Sequence, residues 1–217
     1  MVDIDDGQHA ILEGINGSGK TFYARNGLLP LWSRVVVCDT ENMEFGDFPA
    51  VSVATAVKLL ASKHTFYVRI PFSGDLDTDL EQVKALSLGI RRKVPFGHLP
   101  SVVYYDEFTD FADATTISPS LRSQIRTSRK RNVSIVAGTQ RPQLMNKTMV
   151  ANAQHKFYFF MSEYDAEQIK GYAPFVKERL NEIPYGSYRC LYQAPDSSVI
   201  TLAPVAEYDW ASRLRKK

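Results

Sequence analysis

Short apolar runs, rich in β-branched residues, alternate along the chain with longer segments of helical patterning. Near-continuous apolar runs of this length predict strands that are covered on both faces, as in a parallel sheet. The predicted strands are residues 9–12, 34–38, 65–69, 101–105, 133–137 and 156–160. The predicted helices are residues 21–25, 55–63, 79–93, 119–130 and 143–153.

This alternation predicts right-handed βαβ units and an α/β fold with a doubly wound, mainly parallel sheet. The last segment differs, because two strand-like runs at 187–192 and 198–202 are separated by Pro195-Asp196-Ser197. That pattern predicts a hairpin over residues 187–203 that adds antiparallel strands at one sheet edge. No internal repeat or long linker interrupts the chain, so we expect one domain over residues 1–217, ending in a basic tail at 207–217.

Composition and size agree with a single globular domain. The chain has 217 residues, of which 44% are hydrophobic and 23% charged, and such a chain can bury most of its apolar surface. Two cysteines, Cys38 and Cys190, cannot form a disulfide framework and fit a reducing compartment. The acidic start lacks the order of a signal peptide, and no apolar run approaches the roughly 20 residues of a membrane span. We therefore expect a protein that is not secreted and has no transmembrane segment.

The net charge of +2 does not indicate a nucleic-acid partner, but the basic residues are clustered. One group comprises Arg122, Arg126, Arg129, Lys130 and Arg131. Two further groups lie at residues 91–93 and 213–217, and for these we favour a solvated helix face.

Residues 14–21 match the phosphate-binding pattern G-x-x-x-x-G-K-[ST] in full. They are Gly14, Ile15, Asn16, Gly17, Ser18, Gly19, Lys20 and Thr21. Glycines let successive backbone N–H groups point at one anion, and the following helix adds its positive end. Lys20 can reach the β- and γ-phosphates, and the Thr21 hydroxyl can ligate Mg²⁺. A glycine-rich turn without a ligand is the alternative, but a strand before the motif and a helix after it favour ATP and Mg²⁺ as ligands.

Two carboxylates, Asp106 and Glu107, directly follow the predicted strand 101–105. Ligands bind at the carboxyl ends of parallel strands, so both side chains should face the same crevice as the phosphate loop. We expect Asp106 to hold Mg²⁺ through water, opposite Thr21, and Glu107 to polarise the attacking water. An acidic pair is common in loops, but in combination with the phosphate loop it is specific.

Gln140 ends the segment that follows the predicted strand 133–137. It could hydrogen-bond the γ-phosphate or the attacking water as a sensor, with support from Thr139; a simple strand-end turn is the alternative. Phosphoryl transfer also often requires an arginine. Arg25 should point away from the nucleotide, which leaves Arg126, Arg129 and Arg131.

We expect these three arginines toward the opposite edge of the sheet, where they would serve a neighbouring subunit's nucleotide in a ring. Contacts with DNA phosphates and a solvated helix face are the competing interpretations. The residues alone do not rank the three possibilities.

The phosphate loop, Tyr104-Tyr105-Asp106-Glu107 and the segment 126–142 together resemble the FtsK–HerA superfamily of ring-shaped DNA-pumping ATPases. The element Thr139-Gln140-Arg141-Pro142 matches that superfamily without change, and the resemblance extends over roughly residues 8 to 172, including Val37-Cys38-Asp39-Thr40-Glu41. It implies a RecA-like P-loop NTPase fold of the additional-strand, catalytic-glutamate class.

The resemblance also implies roles for individual residues. Lys20 and Thr21 would bind ATP and Mg²⁺, Asp106 and Glu107 would be the magnesium and catalytic carboxylates, and Gln140 would be the sensor. Arg129 becomes the first choice for an arginine finger acting in trans, and Arg126 the second. The chain departs from the pattern in having Ser128 and Asn132 where the superfamily has glycines.

Within the superfamily, the chain is most similar to the minimal genome-packaging ATPases of tailless icosahedral double-stranded DNA viruses, many with an internal membrane, because it lacks the extra domains of other branches. This implies a homo-oligomeric ring, by resemblance a hexamer, that moves double-stranded DNA into a preformed capsid. Its partners would be duplex DNA and a capsid vertex or portal protein, and its place the host cytoplasm or the packaging vertex of the virion.

Three alternatives stay open at this stage. One is another cellular or plasmid DNA translocase of the same superfamily. A second is a small-molecule kinase or nucleotide switch that uses the same loop. The third is a non-catalytic DNA-binding subunit, which Glu107 and the intact phosphate loop disfavour.

Overall fold

The computed structural model describes residues 2, 4–39 and 45–215 of the chain. A single eight-stranded sheet has the strand order β3-β2-β4-β5-β1-β6-β7-β8. The strands are β1 His9–Glu13, β2 Arg34–Asp39, β3 Phe66–Pro71, β4 Ser101–Tyr105, β5 Val133–Thr139, β6 Ala153–Tyr158, β7 Cys190–Gln193 and β8 Val199–Leu202. Strands β1 to β6 pair in parallel, whereas β6 with β7 and β7 with β8 pair antiparallel. The predicted α/β class, with a mainly parallel sheet and an edge hairpin, is confirmed.

Eight α-helices are assigned among the described residues. They are α1 Lys20–Tyr23, α2 Val53–Ala61, α3 Leu76–Lys93, α4 Pro119–Thr127, α5 Lys147–Asn152, α6 Glu163–Gln168, α7 Phe175–Glu178 and α8 Trp210–Arg215. Five of them begin after a polar residue whose side chain accepts a backbone N–H of the first turn, which satisfies a donor that the helix itself leaves unpaired. These capping residues are Ser52, Asp75, Ser118, Asn146 and Ser162.

Several predicted element boundaries are wrong by a few residues. The helix predicted at 143–153 is shorter, because a 3-10 turn at Pro142–Leu144 precedes the Asn146 cap of α5. The helix predicted at 119–130 ends at Thr127 and continues as the 3-10 turn Ser128–Arg131. The strand predicted at 156–160 starts earlier, at Ala153.

Both faces of the sheet are covered, as the continuous apolar runs predict. Alternate strand residues point to opposite faces, so Val36 lies in the core beneath α2, α3 and α4, while Val35 and Val37 pack against the opposite layer. A smaller cluster, which includes Tyr158 and Leu191, lies under the hairpin. This packing holds the carboxyl ends of β1, β4 and β5 side by side.

The predicted basic tail lies partly within the fold. Trp210 is buried, and Arg213 donates from Nη1 to the Pro30 carbonyl at 2.8 Å and from Nη2 to the Trp32 carbonyl at 3.0 Å. Lys216 and Lys217, like Thr40 and Glu41 of the predicted resemblance, lie outside the described residues. Among the described helices, none has the length and apolar character needed to cross a membrane.

Candidate functional site

The predicted phosphate loop joins β1 to α1, with glycines where the geometry requires them. Gly17 and Gly19 have φ angles of 71° and 99°, in the left-handed region that glycine adopts without steric cost. A Cβ added to Gly14 would lie 2.8 Å from the Cβ of Phe159. The loop can therefore curl tightly against the sheet only because these positions lack side chains.

The loop is fixed to its neighbouring strands by backbone hydrogen bonds. Gly14 N–H donates to the Thr139 carbonyl at 3.3 Å, and Ile15 N–H donates to the Phe160 carbonyl at 3.1 Å. The Lys20 ammonium donates to the Ile15 carbonyl at 2.8 Å and is largely buried. The loop and its lysine thus form one ordered unit at the start of α1.

Asp106 follows β4 and lies against the start of α1. Its Oδ1 accepts the Thr21 hydroxyl at 3.0 Å and the Tyr104 hydroxyl at 2.6 Å. Burial raises the pKa of Asp106 to about 6, while the hydrogen bonds from Tyr104 and Thr21 oppose that rise. The structure therefore brings a hydroxyl of the phosphate loop into contact with the carboxylate that follows β4.

This pair of oxygen donors fits Mg²⁺. Magnesium prefers oxygen ligands and is commonly held by one or two carboxylates together with substrate phosphates. Among the described residues, no group of three or more His, Cys, Asp or Glu side chains could hold a metal ion. A magnesium site here would therefore depend on Thr21, Asp106 and a bound phosphate.

Glu107 is held by three donors from two strand ends. Its Oε1 accepts the Thr139 hydroxyl at 2.8 Å and also the Thr109 hydroxyl, and its Oε2 accepts the Gln140 backbone N–H at 2.9 Å. The carboxylate is thereby oriented at the tip of β5. Gln140 therefore positions Glu107 through its backbone, a contact that the sequence did not predict.

One cleft contains the phosphate loop, both carboxylates and Gln140. It has a volume of about 580 Å³, within the range of small-molecule sites. Its lining includes Lys20, Thr21, Asp106, Glu107 and Gln140. A larger groove, of about 880 Å³, lies between α2 and α3, but its lining holds no carboxylate. The smaller cleft is therefore the candidate functional site.

The arginine cluster is placed differently from the prediction. Strand β5 lies in the middle of the sheet between β4 and β1, so the residues before it lie at the opposite end of a central strand, not at the opposite edge. Arg126 and Arg129 are exposed there. Because β5 has seven residues and rises about 3.3 Å per residue, roughly 20 Å of strand separates them from the cleft of their own chain.

Arg131 is not available as an arginine finger. Its guanidinium is buried and donates to the carbonyls of Val94 at 3.0 Å and Arg91 at 2.8 Å, while it lies 4.2 Å from the Phe96 ring centroid. Arg25 instead pairs with Asp47 at 2.7 Å. Arg129 and Arg126 therefore remain the candidates.

The departures from the glycine pattern also have a local explanation. Asn132 adopts φ 53° and ψ 34°, a left-handed conformation that asparagine tolerates better than most residues. Ser128 is helical, with φ −62°, and therefore requires no glycine. The turn into β5 is formed without either glycine.

Several residues of the site carry no signal in the sequence. Tyr104, which donates to Asp106, has the pattern of an ordinary strand residue, and Thr109, which donates to Glu107, belongs to no motif. Phe22, Tyr188, Pro204 and Val205 line the cleft itself. The last three could not be found from spacing, because only the sheet order brings the hairpin region beside the phosphate loop.

Comparison with known structures identifies the fold. No protein-family model matches the sequence, and no curated protein matches it. The structure is similar to that of the genome packaging NTPase B204 from Sulfolobus turreted icosahedral virus 2 in complex with ATP-gammaS, with a TM-score of 0.74 and 16% identity over 94% of this chain and 100% of that chain.

Two further solved structures are also similar. VirB4 of Thermoanaerobacter pseudethanolicus gives a TM-score of 0.63 at 15% identity, over 96% of this chain and 91% of that chain. The conjugation coupling protein TcpA of pCW3, with ATPgS, gives 0.62 at 15% identity, over 99% and 67%. The chain thus has the P-loop NTPase fold. The fold that the resemblance to a minimal genome-packaging ATPase implies is confirmed.

Proposed function

We propose that this chain is an ATP-driven translocase of double-stranded DNA, acting as a viral genome-packaging ATPase. One observation carries the proposal. A single cleft joins a complete phosphate loop to Asp106 through Thr21, and also contains Glu107, which follows β4 and accepts hydrogen bonds from the tip of β5. A glycine-rich turn with only a structural role would not require the two carboxylates in the same cleft.

The residues of the cleft have different roles in ATP hydrolysis. Lys20 and the loop N–H groups bind the triphosphate. Thr21 and Asp106 would hold Mg²⁺, which would supply positive charge to the phosphates. Glu107, oriented by Thr139 and the Gln140 backbone, accepts a hydrogen bond from the attacking water. Gln140 also lines the cleft, and its side chain would act as the γ-phosphate sensor.

The remaining charge on the transferred phosphoryl group requires a cation in addition to Lys20, and no arginine of the described residues lines the cleft. Arg129 and, as second choice, Arg126 are exposed at the far end of β5. A homo-oligomeric ring, by resemblance a hexamer, would bring one subunit's arginine to the next subunit's nucleotide. An arginine supplied in trans is a known device of phosphoryl-transfer enzymes.

Duplex DNA is the proposed substrate of translocation. The fold similarity to a genome packaging NTPase and to a conjugation coupling protein supports this choice. Phosphate contacts in a ring channel would bind DNA without reading bases. A capsid vertex or portal protein is the proposed second partner, with the host cytoplasm and packaging vertex as the sites of action.

The test measures ATP hydrolysis with and without duplex DNA. We expect stimulation by DNA that weakens steeply with salt, because phosphate contacts release counterions. Lys20→Ala should lose hydrolysis, and Lys58→Ala, an exposed lysine of α2, should retain it. Phosphorylation of a nucleoside or another small acceptor, without DNA stimulation, would instead establish a kinase. Stimulation of hydrolysis by DNA does not distinguish a viral packaging ATPase from another FtsK–HerA translocase. Specific binding of a capsid vertex protein would make that distinction.

A further inference from the structure

The cleft extends beyond the phosphate loop on the side away from the carboxylates. In the sheet, β4 and β5 lie on one side of β1, whereas β6 and β7 lie on the other. Asp106, Glu107 and Gln140 come from the first side. Tyr188, two residues before β7, comes from the second. A triphosphate whose γ end faces Glu107 would therefore direct its nucleoside toward Tyr188.

The side chains at this second end are apolar or aromatic. They are Phe22, Tyr188, Pro204 and Val205. Phe22 is 41% exposed and Tyr188 49% exposed, so both rings present free surface to the cleft. Their centroids lie 6.4 Å apart with the planes tilted by 45°. These two rings form an open apolar wall beside the first turn of α1.

Tyr188 has an unusual backbone conformation. Its φ angle is 53°, and Gly186 before it has φ 78°. Left-handed backbone is uncommon for a bulky residue and persists only where the surroundings enforce it. The ring lies so close to the phosphate loop that a Cβ on Gly19 would come within 2.6 Å of Tyr188 Cδ1. The tyrosine is therefore fixed against the loop.

The other part of the wall is anchored as well. A Cβ on Gly27 would lie 2.9 Å from Val205 Cγ1. Tyr208 N–H donates to Asn26 Oδ1 at 3.0 Å, and Trp210 Nε1 donates to the Arg25 carbonyl at 3.2 Å. The segment after β8, which carries Pro204 and Val205, is thus attached to the helical turn that follows α1.

We propose that Tyr188, with Phe22, Pro204 and Val205, forms the binding site for the nucleotide base, in which Tyr188 stacks on the base. The inference rests on the proposed function, because it requires a nucleoside triphosphate in the cleft. Several described residues of the lining carry an amide, ammonium or carboxylate group. They all lie in the phosphate loop, after β4 or at the tip of β5. Stacking uses the π-face that every base has, so adenine and guanine should bind alike.

The experiment measures the contribution of the base to binding affinity separately from that of the phosphates. Calorimetry measures the affinity of β,γ-methylene ATP, β,γ-methylene GTP and inorganic triphosphate in the presence of Mg²⁺. We expect Tyr188→Ala to weaken both nucleotides about tenfold, in line with base–aromatic stacking, and to leave triphosphate affinity unchanged. Tyr188→Phe should bind as the unaltered chain does. Tyr164→Ala, an exposed tyrosine of α6 outside the cleft, is the matched control.

Three results would overturn the inference alone: unchanged nucleotide affinity in Tyr188→Ala, an equal loss for nucleotides and triphosphate, or a strong preference for one purine. If the unaltered chain binds neither nucleotides nor triphosphate, the proposed function fails and the base site fails with it.

Discussion

The Thr21 hydroxyl donates to Asp106 Oδ1 at 3.0 Å, although 85 residues separate them along the chain. This contact joins the start of α1 to the end of β4 across the sheet order β4-β5-β1. It is the point at which the phosphate loop and the acidic pair become one site. The hydroxyl and the carboxylate are both oxygen ligands of the kind that Mg²⁺ prefers.

Replacing Asp106 by Asn keeps the size of the side chain but removes its charge. We expect ATP hydrolysis to fall by about 100-fold or more, because the γ-phosphate loses metal assistance, while nucleotide binding in EDTA stays close to that of the unaltered chain. Calorimetry with and without Mg²⁺, together with phosphate release, checks both effects. Asp77→Asn, on the exposed first turn of α3, is the control; an unchanged magnesium dependence would remove Asp106 from the metal site.

Replacing Glu107 by Gln should separate binding from turnover. Gln keeps one oxygen for the Thr139 and Thr109 hydroxyls but cannot accept a proton from water. We expect hydrolysis to drop about 10²- to 10⁴-fold, the usual contribution of a general base, with ATP affinity retained. Single-turnover phosphate release measures the step directly. Normal turnover in this variant would disprove the role, and Glu163→Gln on α6 controls for a lost surface charge.

Mixing subunits tests the arginine in trans. Arg129→Ala and Lys20→Ala subunits should each be inactive alone and partly active when mixed, because a Lys20→Ala subunit still supplies Arg129 to its neighbour. Lys130→Ala, the adjacent exposed cation, should remain active alone. Mixed rings that assemble yet hydrolyse no ATP would exclude Arg129 from this role, and the same mixture with Arg126→Ala then tests the second candidate.

The burial of Glu13, the last residue of β1, should make the free energy of unfolding depend on pH. Burial raises its pKa to about 8, although the Tyr172 hydroxyl, which donates at 2.9 Å, and the Lys156 charge oppose the rise. The folded chain thus keeps Glu13 protonated at neutral pH, whereas the unfolded chain ionises it above pH ~4.5. The stability this group contributes below pH ~4.5 is therefore lost progressively as the pH rises toward 8.

Urea denaturation of Glu13→Gln measures this effect. Between pH 5 and pH 8, the free energy of unfolding of the unaltered chain should fall by on the order of 3 kcal/mol relative to the variant, because Gln cannot ionise. The exposed substitution Glu163→Gln should follow the unaltered chain throughout. Parallel pH curves for Glu13→Gln and the unaltered chain would show that Glu13 is already ionised when folded.

The sequence predicted those parts of the fold that depend on local pattern. Strand β4 has the predicted limits, Ser101 to Tyr105, because an apolar run ends sharply at two acidic residues. Asp106 and Glu107 could be placed in the cleft because the carboxyl ends of parallel strands meet at one edge. The phosphate loop required no tertiary information.

Other features depended on strand order and on individual side-chain contacts. The arginine cluster could not be located before β5 was known to lie between β4 and β1. Arg131 resembled its neighbours in sequence, and only its contacts with the Val94 and Arg91 carbonyls distinguish it. Tyr188 reaches the phosphate loop because β7 pairs with β6, beside β1, and no local pattern encodes that placement.

The most direct test of the central claim is ATP-dependent movement along duplex DNA. A third strand bound as a triplex to a long duplex reports translocation when it is displaced. The unaltered chain should displace the third strand with ATP and Mg²⁺, and Glu107→Gln should displace none under the same conditions. ATP hydrolysis that is indifferent to duplex DNA, with the third strand left in place, would show that the chain is not a DNA translocase.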